Sequence, residues 1–130
     1  MAEGFGQYVD TGTTARVREL KKRILESGTN DPEDLMLIIM ELFTEEVLYP
    51  EPGKFYTFIY NPKTPGIEYD QHPLIACTSL ERWGFKAINF HWQQGRQYTW
   101  SEVAGKLHTI KFNELDELLA IPYAKFRLNK

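Results

Sequence analysis

Apolar positions recur at helical spacing through about residue 49 and alternate from residue 54 onward, which predicts helices first and strands after them. In "ARVRELKKRILES", Val17, Leu20 and Ile24 share a face with Leu25 beside them; Thr13 or Thr14 can cap the start and Gly28 can close the end. In "NDPEDLMLIIMELFTEEVLY", Asp31 can cap, Pro32 fits the first helical position, and Glu33 and Asp34 complement the positive end of the dipole. Leu35, Ile38, Ile39, Leu42 and Phe43 line one face of this second helix. Met36, Leu37 and Met40 widen the face, so the helix is expected to pack on more than one side, by deep burial or against a partner. Pro50 and Pro52 stop it, and Gly53 turns the chain.

The strand region reads as an antiparallel meander: "KFYTFIY", then "NPKTPGIEYDQ" as a long hairpin loop, then "HPLIACTSL" and, after a turn at Gly84, "GFKAINFHW". "QYTWSEVAGKLHTIKF" fits short strand and helix equally. "NELDELLAIP" predicts a short acidic helix capped by Asn113 and stopped by Pro122, and "YAKFRLNK" can add an edge strand. Ahead of these elements, "AEGFGQYVDTGTT" has no periodicity. The expected organisation is a flexible arm over 1–12, a two-helix segment over 13–49, and a small β-barrel-like domain over 50–130 with a C-terminal helix and tail. The fold class is α+β, a small antiparallel barrel or meander preceded by two α-helices.

The chain has 130 residues, enough for one core and too few for two independent ones. Hydrophobic residues make up 42% and charged ones 25%, a globular balance that argues against disorder of the whole chain. A net charge of -3 argues against a protein whose main task is wrapping nucleic acid, which needs a broad positive field. Cys77 is the single cysteine, so no internal disulfide is possible, and its place in "PLIACTSL" reads as a buried thiol. Neither a signal peptide nor the ~18 apolar residues of a membrane span is legible, so neither export by that route nor a membrane partner is expected.

Candidate chemistry centres on Tyr69, Asp70, His72 and Pro73, a polar stretch between two apolar runs. His72 and His91 fall near neighbouring predicted strands and can meet Asp70 or Glu68, as a general base would require; the alternative is that His72 satisfies backbone groups and His91 packs among Phe90 and Trp92. With His108 the only other histidine, no pair has metal-site spacing, and no nucleophile elbow or phosphate-cradling glycine loop is present. No cofactor or metal is therefore expected. A basic patch of Arg16, Arg18, Lys21, Lys22 and Arg23 on the first helix can grip phosphates, pair with the acidic second helix, or face solvent. The density of rings suits protein interfaces, with nucleic-acid stacking as its rival. Candidate interface residues are Ile39, Phe43, Asn89, His91, Trp92 and Trp100.

The ordered set "PGKFYTFIYNPKT", "YDQHPLI", "GFKAINFHW" and "IPYAKFR" resembles a group of small proteins of contractile-tailed bacteriophages, including marine relatives of the T-even phages. The matching positions are Pro52, Gly53, Tyr60, Pro62, Lys63, Tyr69, Asp70, Pro73, Leu74 and Ile75, then Gly84, Phe85, Asn89, His91, Trp92, Ile121, Pro122, Lys125 and Phe126. The likeness covers roughly residues 50 to 127. The chain departs from the pattern at Glu68 and Trp92, where the group has tyrosine, and in "QQGRQ", where the group has a proline pair.

The resemblance implies a non-enzymatic structural protein of the virion, in the host cytoplasm before assembly. Its partners would be other virion proteins of the baseplate, tail or neck. The alternatives are an assembly chaperone absent from the finished particle, and a nucleic-acid-binding protein or nuclease. In architecture the strand, long loop and second strand near "HPLI" are also similar to small SH3-like barrels, including growth-inhibiting ribonuclease toxins, with histidine here where those have arginine.

Overall fold

Thr14 accepts from the Val17 N–H and opens helix α1 (Ala15–Ser27), which ends where Gly28 takes a left-handed conformation (φ 67°) and its N–H returns to the Ile24 carbonyl. This is the first element of a computed structural model that describes residues 14–130; the arm expected at 1–12 lies outside the described residues. Asp31 caps α2 (Pro32–Leu42) by accepting from the Glu33 N–H. The helix ends at Leu42, well before Pro50. Phe43 leaves helical geometry, and Glu46–Val47 form a short strand, β1, instead of a further helical turn.

The remaining strands are β2 (Phe55–Tyr60), β3 (Glu68–Asp70), β4 (Leu74–Leu80), β5 (Gly84–Asn89), β6 (Gln94–Thr99), β7 (Val103–Ile110) and β8 (Phe126–Leu128). A six-stranded antiparallel sheet has the order β1-β7-β2-β4-β5-β6, while β3 and β8 form a separate two-stranded sheet. The fold is thus α+β with the expected meander at its centre, but the hydrogen bonding does not close: β1 and β6 are the edges. The ambiguous stretch after Gly95 resolves as β6, a 3-10 turn at Trp100–Glu102, and β7, which crosses to pair with β2. The tail is an edge strand, as its sequence allows, and pairs with the last part of the long loop, Glu68–Asp70.

Helix α3 (Leu115–Leu119) follows a 3-10 turn at Phe112–Glu114. Asn113 does not cap it. Glu114, three residues after Lys111, reaches back to the Lys111 N–H at 2.8 Å, and this turn sets the start of the helix.

Strand β2 separates two apolar clusters. Tyr56, Phe58 and Tyr60 point into one with Ile75, Cys77, Phe85, Ala87, Tyr98 and Leu107. Phe55 and Ile59 point to the other, where Val17, Leu20, Leu35, Met36, Ile39 and Phe43 of the helical segment meet Leu74, Ile110, Leu118 and Tyr123. Thr57, polar and fully buried, is satisfied by the Pro73 carbonyl at 2.8 Å and the Tyr123 hydroxyl at 3.1 Å.

At Gly84 the sheet tolerates no side chain, because a Cβ there would lie 1.9 Å from the Tyr98 carbonyl oxygen. Gly84→Ala must part β5 from β6 at its first pair and is expected to cost at least ~2 kcal/mol in urea unfolding. A variant as stable as the parent would disprove this account of the β5–β6 contact.

Candidate functional site

Residues 69–73 run between β2 and β4 and are held from both sides. The Gln71 carbonyl accepts from the Tyr60 N–H, and the Gln71 and His72 N–H groups donate to the Lys125 and Ala124 carbonyls. Tyr69 packs edge-on against Tyr60 with centroids 5.8 Å apart, and Pro73 is buried next to its Thr57 contact. The polar stretch therefore joins the tail to the main sheet through backbone pairing.

Asp70 is buried, and both its carboxylate oxygens accept from Asn89 Nδ2, at 3.0 and 3.1 Å. The Asn89 amide also reaches the Tyr98 hydroxyl at 3.1 Å, while its oxygen accepts from the His91 and Trp92 N–H groups. One side chain thus secures a buried charge and the β5–β6 turn together. His91 and Trp92 lie in that turn and not on a strand, because the strand ends at Asn89.

His91 Nδ1 stands 3.5 Å from Asp70 Oδ2, too far and too poorly aimed for a hydrogen bond, and its ring is enclosed by Tyr123 and Phe126. The expected carboxylate–histidine meeting occurs between Asp70 and His91, but Asp70 is only 1% exposed and its oxygens are committed to Asn89. Asp70 and the Asn89 amide are arranged to hold the turn. Burial and the nearby Asp70 charge both push the Tyr98 hydroxyl above its ordinary range, so it stays protonated.

His72 is buried in a different place, facing α2. Its Nδ1 lies 2.8 Å from the Tyr123 carbonyl, which can only accept, so Nδ1 carries the proton. Its Nε2 lies 3.0 Å from Glu33 Oε1, and Glu33 Oε2 takes the Lys125 ammonium at 3.2 Å. Burial lowers the imidazole's pKa from the ordinary 6.5, outweighing the Tyr123 carbonyl and Glu33, which favour the charged form. His108 behaves similarly in geometry, with Nδ1 2.8 Å from the Phe43 carbonyl. The three histidines are on three separate joints, and among the described residues no group of three or more His, Cys, Asp or Glu side chains is placed to hold a metal ion.

Much of the basic patch is consumed within the chain. Arg16 makes a two-pronged pair with Glu114, at 2.8 and 2.7 Å, and lies over the Phe43 ring. Lys21 pairs with Glu117, and Arg23 with Glu19 and Glu41. Arg18 and Lys22 are on the exposed side of α1. Burial alone would raise the Glu114 pKa, but Arg16, the Thr14 hydroxyl and the Lys111 N–H together bring it below the ordinary 4.5. Cys77 is buried, as expected, and desolvation raises its thiol pKa.

The expected interface separates into two sets. Ile39, Phe43 and Asn89 are fully buried within the chain and present nothing to a partner: helical periodicity identified the apolar face correctly, but that face meets the protein's own sheet. Trp100 is partly exposed and belongs to an aromatic surface that the sequence reading did not assemble. Tyr49, 61% exposed, stands edge-on to Trp100 at 5.2 Å; Trp83, 42% exposed, accepts the Trp100 N–H on its carbonyl. Trp100 Nε1 donates to the Arg82 carbonyl, and Phe85 lies beneath the ring. Trp92, also partly exposed, stacks edge-on against Phe126, itself 57% exposed.

Compared with family models, with curated proteins and with solved structures, the chain matches none. Among the described residues, no helix is long and apolar enough to cross a membrane.

His72 and Glu114, whose pKa values are lowered in the fold, contribute to the acid response. His72 has a lowered folded pKa, so its contribution is complete above 6.5 and falls as the unfolded chain takes up a proton that the folded chain resists. Glu114 has a lowered folded pKa as well, so its contribution is complete above 4.5 and is lost as pH falls through the lower folded value. Thermal unfolding followed from neutral pH downward should show both losses, the upper one missing in His72→Gln. Glu114→Gln should cost about 3 kcal/mol at neutral pH by leaving Arg16 without its carboxylate partner. Asn89→Ala, which strands the Asp70 charge, should cost a similar ~3 kcal/mol.

Proposed function

We propose that the chain is a non-enzymatic structural protein of a tailed bacteriophage, a small component of the baseplate, tail or neck that acts through protein–protein contacts. The observation that carries the binding half of this reading is the ring pair of Tyr49 and Trp100, with Trp83, 42% exposed, tied to Trp100 through its backbone carbonyl, and Leu48, 61% exposed, beside Tyr49 in sequence. Exposed rings grouped this way lose favourable burial unless another surface covers them, and aromatic residues are enriched at interface centres. The resemblance over residues 50 to 127 supports the virion as the place where that partner is found. The host cytoplasm would hold the chain before assembly.

We further propose that the sheet rolls into a small SH3-like barrel. Its support is the succession β2, β4, β5, β6, a 3-10 turn, then β7 returning beside β2, together with the aromatic interior of Phe58, Tyr60, Phe85 and Tyr98. Within that interior, burial and the nearby Glu102 charge raise the Tyr60 pKa to about 12, so the hydroxyl is neutral throughout the physiological range.

Mass spectrometry of purified particles of the phage encoding the chain, referenced to sheath and tube proteins, should find it at a fixed small-integer copy number. A Tyr49→Ser, Trp83→Ser double variant should lower its incorporation severalfold while leaving the unfolding temperature within a few degrees, since both rings are exposed. Absence from particles with abundance in infected cells would overturn the structural role in favour of an assembly chaperone.

A further inference from the structure

Of the two edges of the main sheet, β1 has only two residues, whereas β6 runs for six against β5 in unbroken register, from Gly84 opposite Thr99 to Asn89 opposite Gln94. Strand β6 has no proline, lysine or bulge, the usual means of closing an edge to further pairing. The direction of its backbone groups follows from its neighbours. The Phe90 N–H donates to the Leu74 carbonyl, so Ile88 and Phe90 face β4 while Ala87 and Asn89 face β6. The Trp100 N–H donates to the Trp83 carbonyl, in phase with this alternation. Gln94, Arg96 and Tyr98 therefore bond β5, and the N–H and C=O groups of Gly95 and Gln97 point away from the sheet. Both residues are exposed, and among the described residues these outward groups have no hydrogen-bond partner. The next outward N–H, that of Thr99, is taken by the Glu102 carboxylate and ends the open ladder.

A cavity lies on each face of this edge. On the outer face, Thr78, Lys86, Ile88 and Gln97 surround a hollow of about 290 Å³ in which Gly95 contributes no side chain. Lys86 is exposed and has no carboxylate partner among the described residues. On the inner face, Ile67, Glu68, Trp92, Arg96 and Leu128 line a cavity of about 650 Å³. Arg96 crosses it to donate to the Glu68 carbonyl and lies over the Trp92 ring, and Leu128 is 52% exposed.

We propose that β6 is extended by a strand from a partner protein, which pairs with Gly95 and Gln97, places an apolar side chain among Ile67, Trp92 and Leu128, and sets an acidic side chain beside Lys86. The edge itself dictates this occupant. Unpaired N–H and C=O groups on alternate residues are met together only by another extended backbone, and the side chains of that strand fall alternately on the two faces. A residue opposite Arg96 turns into the larger cavity, and one opposite Gln97 turns toward Lys86. A second copy of β6 fits poorly, because the antiparallel register that pairs Gly95 with Gln97 in both directions sets Arg96 directly against Arg96. The proposal names a mode of contact for the binding protein described above and rests on that reading for its biological partner.

The probes are three synthetic peptides of about nine residues. One alternates valine with glutamate, the second is the same peptide N-methylated at every glutamate, and the third has lysine for glutamate. Each is titrated into the full chain while hydrogen exchange at the Gly95 and Gln97 amides is followed by NMR. The unmodified peptide is expected to slow exchange at both amides by about tenfold or more, and the methylated one, which has lost the N–H groups that face the edge, to leave them unchanged. The lysine peptide should bind about tenfold more weakly, and Lys86→Glu should reverse that preference. Leu128→Asp, at an exposed position outside both apolar clusters, should weaken the unmodified peptide by about tenfold.

Unchanged exchange at Gly95 and Gln97 under saturating unmodified peptide, equal binding of the methylated peptide, an unaltered preference in Lys86→Glu, unaltered affinity in Leu128→Asp, or self-association of the chain through β6 would each overturn the proposal. An edge that captures no peptide in a chain still found in particles would leave the structural role standing. An edge that captures the peptide in a chain absent from particles would overturn that role alone.

Discussion

The structure depends on a single strand that is apolar on both faces. Phe55–Tyr60 cannot satisfy its side chains with one sheet surface, since Tyr56, Phe58 and Tyr60 face one way and Phe55 and Ile59 the other. A helical layer must therefore cover one side, and the remaining strands of the sheet must cover the other. This is why β7 crosses back to pair with β2, and why the two N-terminal helices share a core with strands far away in sequence. The lone polar residue buried in the strand, Thr57, is tolerated because it ties the start of β4 to Tyr123.

Hydrophobic layers alone slide, and in this chain charged and amide side chains fix how they sit. Arg16 and Glu114 join α1 to the turn before α3; Glu33, His72 and Lys125 join α2 to the loop and the tail; Asp70 and Asn89 join β3 to the β5–β6 turn. Each joint connects residues distant in sequence and has at least one buried member: Glu114, His72, and both Asp70 and Asn89. Such pairs add little net stability over apolar replacements, but losing one member leaves the other buried and uncompensated. Their effect is to penalise every arrangement except this one. The groups that a search for acid–base chemistry first selects are here the ones that set register.

Local signals were legible wherever the backbone itself imposes them. Thr14, Gly28, Asp31 and Pro32 mark helix ends within a turn, and the run of aromatic and β-branched residues in "KFYTFIY" marks a strand buried on both faces. The end of α2 was not legible, because "TEEVLY" has no breaker before Pro50 and becomes β1 only through pairing with β7. Asn113 failed as a cap for a related reason: Glu114 is drawn inward by Arg16, ninety-eight residues away, and tightens the turn around itself. Periodicity found the apolar face of α2 but could not say that Ile39 and Phe43 would meet the protein's own sheet. Nor could it place Tyr49 against Trp100, which are brought together by β7 returning across the sheet.

Folding leaves apolar side chains uncovered in several places, Leu25, Phe112, Tyr49 and Phe126 among them, and Leu37 with partly exposed Met40 along α2. The groove between α2 and β2 includes Ile59, on the strand that both cores grip, and its polar end, Glu33 with His72, is fixed by contacts to Lys125 and Tyr123. The shape of this groove is therefore set by strand, helix and tail together, and changing it would mean breaking the pairing of β2 or the Glu33–His72–Lys125 joint, so it follows from the fold and not from whatever covers it.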